Sequence, residues 1–208
     1  MTYPKSHAKL IAVIAVVTIS VVVCAFLVSA FISAPPAGQD AWLFKGAYAT
    51  YEGSTTLTAD DIGLSDMSMS LDFTVDFSVR LAVVDFNSTH ALVSTSFRMS
   101  SSLGGTDGET VEDENSTWVP ISQINLMNSF EDVTLTRSYE STVNIPGFGT
   151  RSCMVYEYAL SDEGLAMTVY VDKAIEWPLK MSVSMTGESL VKLSLDINLV
   201  ETNISTLK

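Results

Sequence analysis

The chain has 208 residues, with 24 Asp and Glu against 11 Lys and Arg, and every acid lies at Asp40 or later. Beyond that point nine basic residues face the 24 acids, a net −15 that argues against nucleic acid or anionic headgroups as electrostatic partners. The two cysteines, Cys24 and Cys153, offer no intramolecular disulfide and no metal cage, so a hydrophobic core must hold the fold.

The first nine residues are followed by 23 uncharged ones, Leu10 to Ile32, in which only Thr18, Ser20 and Ser29 are polar. At about 1.5 Å per residue a helix of that length crosses the ~30 Å hydrocarbon layer. Lys5 and Lys9 precede it and acids follow, so the positive-inside rule leaves residues 1–9 in the cytoplasm. A cleaved leader ending at Val28-Ser29-Ala30 is the rival, but leader cores run only about 7 to 15 residues. The expectation is an uncleaved single-pass membrane anchor at 10–32, a Pro-containing spacer at 33–41 and an extracytoplasmic domain at 42–208.

The domain begins with a strand, Ala47-Tyr48-Ala49-Thr50-Tyr51, then a polar loop to Asp66 with a helical turn near Thr58. From Met67 to Val83 every odd position is apolar: Met67, Met69, Leu71, Phe73, Val75, Phe77, Val79, Leu81 and Val83. The interleaved positions are polar until Ala82. A period of two marks a strand with one buried face, and one this long must bend, bulge or break. A turn at Asp85-Phe86-Asn87-Ser88 leads to a partner strand, with Val79 set by Val93, Val75 by Phe97 and Phe73 by Met99.

Ser100 to Glu114, rich in Gly, Ser and acids, is expected to be a loop or hairpin tip. Ile121, Ile124, Met127 and Phe130 are spaced by threes, which predicts the domain's one short helix over Pro120 to Phe130. Alternation resumes from Asp132 to Val143, and Pro146-Gly147 turns the chain. The next strand is apolar at even positions, Met154, Tyr156, Tyr158 and Leu160. A four-residue loop then sets Tyr158 by Met167 and Tyr156 by Val169. A further hairpin sets Val169 by Met181 and Met167 by Val183, and the last sets Val183 by Val191 and Met181 by Leu193. The fold class is mainly β: a curved antiparallel sheet of eight or nine strands in sequential meander order, with one continuous apolar face that cannot stay wet.

Methionine is the informative residue type. Seven of the eight beyond Met1 fall on the apolar face: Met67, Met69, Met99, Met154, Met167, Met181 and Met185. Met adapts to varied apolar ligands but also fills gaps in a plain core. A ligand face would comprise these seven with Leu71, Phe73, Val75, Phe77, Phe97, Tyr156 and Val169. Catalysis lacks a base, since His90 is the only histidine outside and sits at a turn without a nucleophile elbow. Arg137 is expected near Tyr156 in a cation–π contact. The run Asp107, Glu109, Glu112, Asp113, Glu114 does not match a calcium loop. Sequons at Asn87, Asn115 and Asn203 are glycan acceptors in an exported archaeal or eukaryotic chain. No metal, cofactor or catalytic residue is expected.

Met167-Thr168-Val169-Tyr170-Val171-Asp172-Lys173, followed by Trp177-Pro178-Leu179-Lys180-Met181, resembles the strand–turn–strand of the lipoprotein-carrier superfamily, the LolA-like periplasmic carriers and related lipid-carrying lipoproteins. The resemblance covers about 165–200. It implies a curved half-barrel that shelters acyl chains, although that family has a cleaved signal or a lipobox where this chain has an apparent permanent anchor. A tethered domain would receive, present or sense a lipid at its own membrane. The expected function is therefore non-catalytic binding of a lipid or lipopeptide on the apolar concave face. The alternative is a structural or protein-interaction module of the cell envelope with a solid core.

Overall fold

The computed structural model describes residues 43–57, 73–103, 106–120, 133–160, 165–175, 177–185 and 193–207. The membrane anchor, the spacer, Met67 to Leu71, the turn near Thr58 and Ile121 to Phe130 of the expected helix lie outside these residues. Among the described residues no helix is long and apolar enough to cross a membrane.

The alternating segments form nine strands: β1 (Tyr48–Leu57), β2 (Phe73–Phe86), β3 (His90–Leu103), β4 (Thr106–Pro120), β5 (Val133–Ile145), β6 (Gly149–Leu160), β7 (Leu165–Asp172), β8 (Pro178–Met185) and β9 (Leu193–Thr202). They make one open antiparallel sheet in the order β4-β3-β2-β1-β9-β8-β7-β6-β5. Sequential meander order is therefore corrected. Two meanders, β1–β4 and β5–β9, join through the first and last strands, and β4 and β5, neighbours in sequence, lie at opposite edges.

The β1–β9 seam rests on more than ladder bonds. Tyr51 pairs with Leu199 and Gly53 with Ile197. Asn203 grips the start of β1 with both halves of its amide: Nδ2 donates to the Gly46 carbonyl and Oδ1 accepts from the Tyr48 N–H, each at 2.8 Å. Thr202 Oγ1 donates to the Tyr48 carbonyl at 2.5 Å.

Two registers differ from expectation by four residues. Val79 pairs with Phe97 and Phe73 with Leu103, and a bulge between Val83 and Asp85 absorbs an extra residue. Likewise Val183 pairs with Leu195 and Met181 with Ile197. A shift of four preserves the face, so the core set is unchanged. The β6–β7 register is the expected one, Tyr158 by Met167 and Tyr156 by Val169. In β7–β8, Val169 pairs with Met181 as expected, but a bulge at Tyr170/Val171 sets Val171 against Pro178.

The acid-rich Thr106–Pro120 is a 15-residue edge strand, not a loop, and Pro120 is its last residue. Glu112, Asp113 and Glu114 on it are all exposed. An edge strand tolerates such charges and gains protection from them.

One row of paired positions crosses all nine strands: Val111, Met99, Phe77, Gly53, Ile197, Met181, Val169, Tyr156 and Ser138. Its middle is sealed, with Phe77, Ile197, Met181 and Val169 buried. Gly53 is needed there for close approach, since an added Cβ would lie 2.4 Å from Phe77 Cζ and 2.6 Å from the Asp196 carbonyl oxygen.

The even-position expectation for β6 holds for Tyr158, but Cys153 and Val155 are fully buried as well. Val155 is flanked in register by Tyr139 and Tyr170, so β6 is covered on both faces there. At the same sheet end Ile145, Ile175, Trp177, Ile204 and Leu207 join the core. Arg151 fastens the C-terminal 3-10 turn (Ser205–Leu207), donating to the Leu207 carbonyl at 2.6 Å and the Thr206 carbonyl at 3.3 Å.

Candidate functional site

The apolar face is not uniform. Of the expected ligand residues, Val75, Phe77, Met167, Val169 and Met181 are buried, whereas Phe97, Met99, Met154 and Tyr156 are half-buried. Phe73 and Met185 occupy their strands, pairing with Leu103 and Leu193. Met67, Met69 and Leu71 lie outside the described residues. The half-buried members sit on β3 and β6, each one strand in from an edge. The edge strands extend them with Val111, paired to Met99, and Leu135, paired to Tyr158. Val111 is 43% exposed and Leu135 50%. The face therefore has a closed centre and two apolar, partly wet flanks, Phe97/Met99/Val111 on one side and Leu135/Met154/Tyr156 on the other.

The second flank carries an aromatic pair. Tyr156 and Tyr158 lie two residues apart on one face of β6, their rings stacked with centroids 6.5 Å apart. Burial pushes the Tyr158 hydroxyl up to about 12, and the neighbouring Tyr156 adds to the shift. Arg137 stands over the Tyr139 ring at 4.6 Å rather than by Tyr156, because the bulge at Leu135/Arg137 turns it to the other face.

The opposite face bears an open polar groove of about 530 Å³ lined by Thr50, Arg80, Arg98, Glu114 and Glu201 among others. At one end the Arg80 guanidinium lies 3.9 Å over the Tyr48 ring and 3.8 Å from Glu201, while Tyr48 Oη donates to Glu201 at 2.8 Å. That hydrogen bond holds the Tyr48 proton and raises its pKa. Arg80 and Glu201 both flank Thr50 in register, one from each side. No sequence pattern could assemble this trio, because it needs the β1–β9 seam.

Cys153, Asp172 and His90 are held by burial or by hydrogen bonds. The Cys153 thiol is pushed up to about 11, first by burial and then by Asp172, with Arg151 opposing, so it is no thiolate nucleophile at neutral pH. Asp172 is buried and accepts from the Ala174 and Ile175 N–H groups at 2.8 and 3.3 Å, which shapes the β7–β8 turn. His90 Nδ1 shares a 2.9 Å hydrogen bond with Thr89 Oγ1. Of the sequons, Asn87 is exposed at the β2–β3 turn and Asn115 is exposed on β4, whereas Asn203 spends its amide on Gly46 and Tyr48.

No protein-family model matches this chain, and no curated protein sequence does. Among solved structures, the hypothetical protein CT021 of Chlamydia trachomatis is similar at 11% identity and a TM-score of 0.32, over 77% of this chain and 88% of that one. A likeness of that order carries no argument about fold or function.

Proposed function

We propose that this chain is a membrane-tethered, extracytoplasmic, non-catalytic module that holds an acyl-bearing ligand against the open flanks of its apolar face. The observation that carries the reading is the paired set of half-wet apolar side chains on β3/β4 and β5/β6, on either side of a sealed centre. Ten methylenes laid there would bring about 8 kcal/mol of gross burial energy, which is micromolar binding before ordering costs. The flexible thioethers of Met99 and Met154 suit a chain of variable length.

The half-barrel shape implied by the lipoprotein-carrier resemblance belongs to this proposal, and chain length supports it. Flat, a nine-stranded sheet would separate the end of β4 from the start of β5 by about 57 Å, at ~4.8 Å per strand and ~3.3 Å per residue. The thirteen peptide steps from Pro120 to Val133 reach at most about 47 Å. Curling brings the two edges, and hence the two flanks, toward one another across a common mouth.

The test is a photoactivatable fatty acid added to membranes holding the full chain. Cross-links are expected on peptides containing Phe97–Met99 and Met154–Tyr156, and Met99→Glu, at a half-exposed position, should remove them. Labelling spread evenly over the chain, or absent, would refute the reading. The second reading, a solid interaction module, is favoured by the tightly sealed centre at Gly53 and Phe77. It predicts no lipid label but capture of a partner strand along the β4 or β5 edge.

A further inference from the structure

Four large apolar side chains stay exposed around the β2–β3 turn: Phe44 (37%), Val84 (44%), Phe86 (41%) and Trp118 (49%). Trp118 pairs with Leu92, and Leu92 faces the bulge at Val84 and Asp85, while Phe86 pairs with Ala91. Phe44 is tied to the same place, since the Gly46 N–H donates to the Val83 carbonyl at 2.8 Å and Lys45 meets Asp85 at 3.2 Å. Phe86, paired to buried Ala91, lies on the apolar face and Trp118, paired to Leu92, on the other, so the exposed side chains wrap the rim of one sheet end. Single exposed apolar residues are ordinary, but four gathered at one end, two of them Phe and one Trp, mark an interaction site.

The turn between them is unusually self-sufficient. The Asn87 N–H donates to the His90 carbonyl, and the Thr89 and His90 N–H groups donate to Asn87 Oδ1, all at 2.8 Å. Its one acid, Asp85, is neutralised by Lys45. The turn's backbone would therefore lose little on leaving water, while the exposed Lys45–Asp85 pair stays at the headgroup level.

The chain enters the domain here. Leu43, the first described residue, lies at this end of the sheet, and only ten residues, 33–42, separate it from the last residue of the apolar segment, Ile32. The eleven peptide steps from Ile32 to Leu43 reach at most about 40 Å. We propose that Phe44, Val84, Phe86 and Trp118 form a docking tip that enters the headgroup–acyl boundary of the bilayer holding residues 10–32. This rests on the anchoring of that segment under the proposed function. Docking would set the long axis of the strands toward the bilayer, bringing the acyl-binding flanks to their ligand's source. Contact is apolar, with Phe and Trp at the boundary where such rings sit. The domain's net −15 makes zwitterionic lipid the favoured surface and anionic lipid the poorer one. A glycan on Asn87 would hold the tip away from the bilayer, so docking and Asn87 glycosylation exclude one another.

The test reconstitutes the full chain into phosphatidylcholine vesicles, with and without bromine high on the acyl chains. The difference between wild type and Trp118→Phe isolates the emission of Trp118. That component should lose most of its intensity with brominated lipid, and Phe86→Trp in the Trp118→Phe background should restore a quenched signal. A chain that sediments with alkali-washed vesicles yet keeps unquenched emission at both positions overturns the docking while leaving the anchor intact. A chain left in the supernatant overturns both. A glycan found on Asn87 in protein from its own membrane overturns the docking by itself.

Discussion

Gly53→Ala should destabilise the domain even though Ala is the better residue for most strands. Gly53 needs no left-handed backbone, so the substitution gains about 0.4 to 1 kcal/mol through the unfolded chain. Against this, the new methyl meets Phe77 Cζ at 2.4 Å, Phe77 Cε1 at 2.7 Å and the Asp196 carbonyl oxygen at 2.6 Å. Carbon pairs prefer about 3.5 to 4.0 Å, so the phenyl ring must retreat by roughly an ångström into a core with no room. The Asp196 oxygen belongs to β9 and cannot move without opening the seam. Overpacking of this kind costs about 1 to 3 kcal/mol and outweighs the entropic gain. The assay is urea denaturation followed by tryptophan fluorescence, to which Trp177, buried in the core, contributes. Phe77→Leu in the same background separates the two obstacles. It relieves the ring and leaves the carbonyl, so a coupling of about 0.5 to 2 kcal/mol is expected between the sites, with part of the Gly53→Ala loss persisting. A Gly53→Ala protein as stable as wild type would refute the close approach at the sheet centre, and strict additivity would remove Phe77 as its cause.

Tyr51→Phe removes the 2.9 Å hydrogen bond from the buried phenol to the Pro178 carbonyl and should cost about 1 to 2 kcal/mol in the same denaturation assay. Arg151→Ala strips the carbonyls of Thr206 and Leu207 of a donor and leaves buried Asp172 without its cation at 3.8 Å. A loss of roughly 2 to 3 kcal/mol is expected, less than for a fully buried pair, with new protease cleavage near the C-terminus as its sign. Asn203→Ala unlinks the start of β1 and should cost about 1 to 2 kcal/mol, with hydrogen exchange speeding first at Tyr48. Cys153 and Tyr158 hold their protons more tightly folded, up to about 11 and about 12, than unfolded at 9.0 and 10.0. Their contribution is complete below pH 9 and lost as pH rises through the folded values, so a denaturation midpoint that climbs between pH 9 and 11 would contradict it.

How much of this was legible depended on the range over which the information is written. The face of each strand is fixed by alternation within it, so the buried residues of β2, β7, β8 and β9 could be read directly. Register is fixed by turns, and there the short β6–β7 and β7–β8 connections were readable. The β2–β3 turn, closing between Phe86 and Ala91, moved that pairing by five residues and the one-residue bulge at Val83/Asp85 brought it back to four. The longer β8–β9 connection moved its own pairing by four, so neither changed a face. Arg137 was misplaced for the same reason, by a bulge with no signature of its own. The strand β4 was hidden by composition: its glycine and acids match a loop, and only the ladder offered by β3 makes them a strand. The candidate site was half visible. Phe97, Met99, Met154 and Tyr156 followed from parity, whereas Val111 sat in the misread segment and nothing distinguished a sealed centre from wet flanks.

The seam between β1 and β9 was beyond sequence reading because it joins residues about 150 apart, and pairings at that distance leave no local trace. Within each meander every strand pairs with its chain neighbour, so β1–β4 and β5–β9 are each built from hairpins whose connections, the longest being residues 58–72, close at far lower entropic cost than the seam. The seam pays for the long closure once, and Asn203, Thr202 and the Gly53–Ile197 pairing are concentrated there to hold it. It also sets what the molecule presents. Had β4 paired with β5 instead, the acidic strand and the Leu135 strand would be interior, and Val111, Met99, Tyr156 and Leu135 would close over one another. Joining the termini places those strands at the edges, so the partly wet apolar flanks and the charged edge that guards one of them are consequences of a single pairing choice.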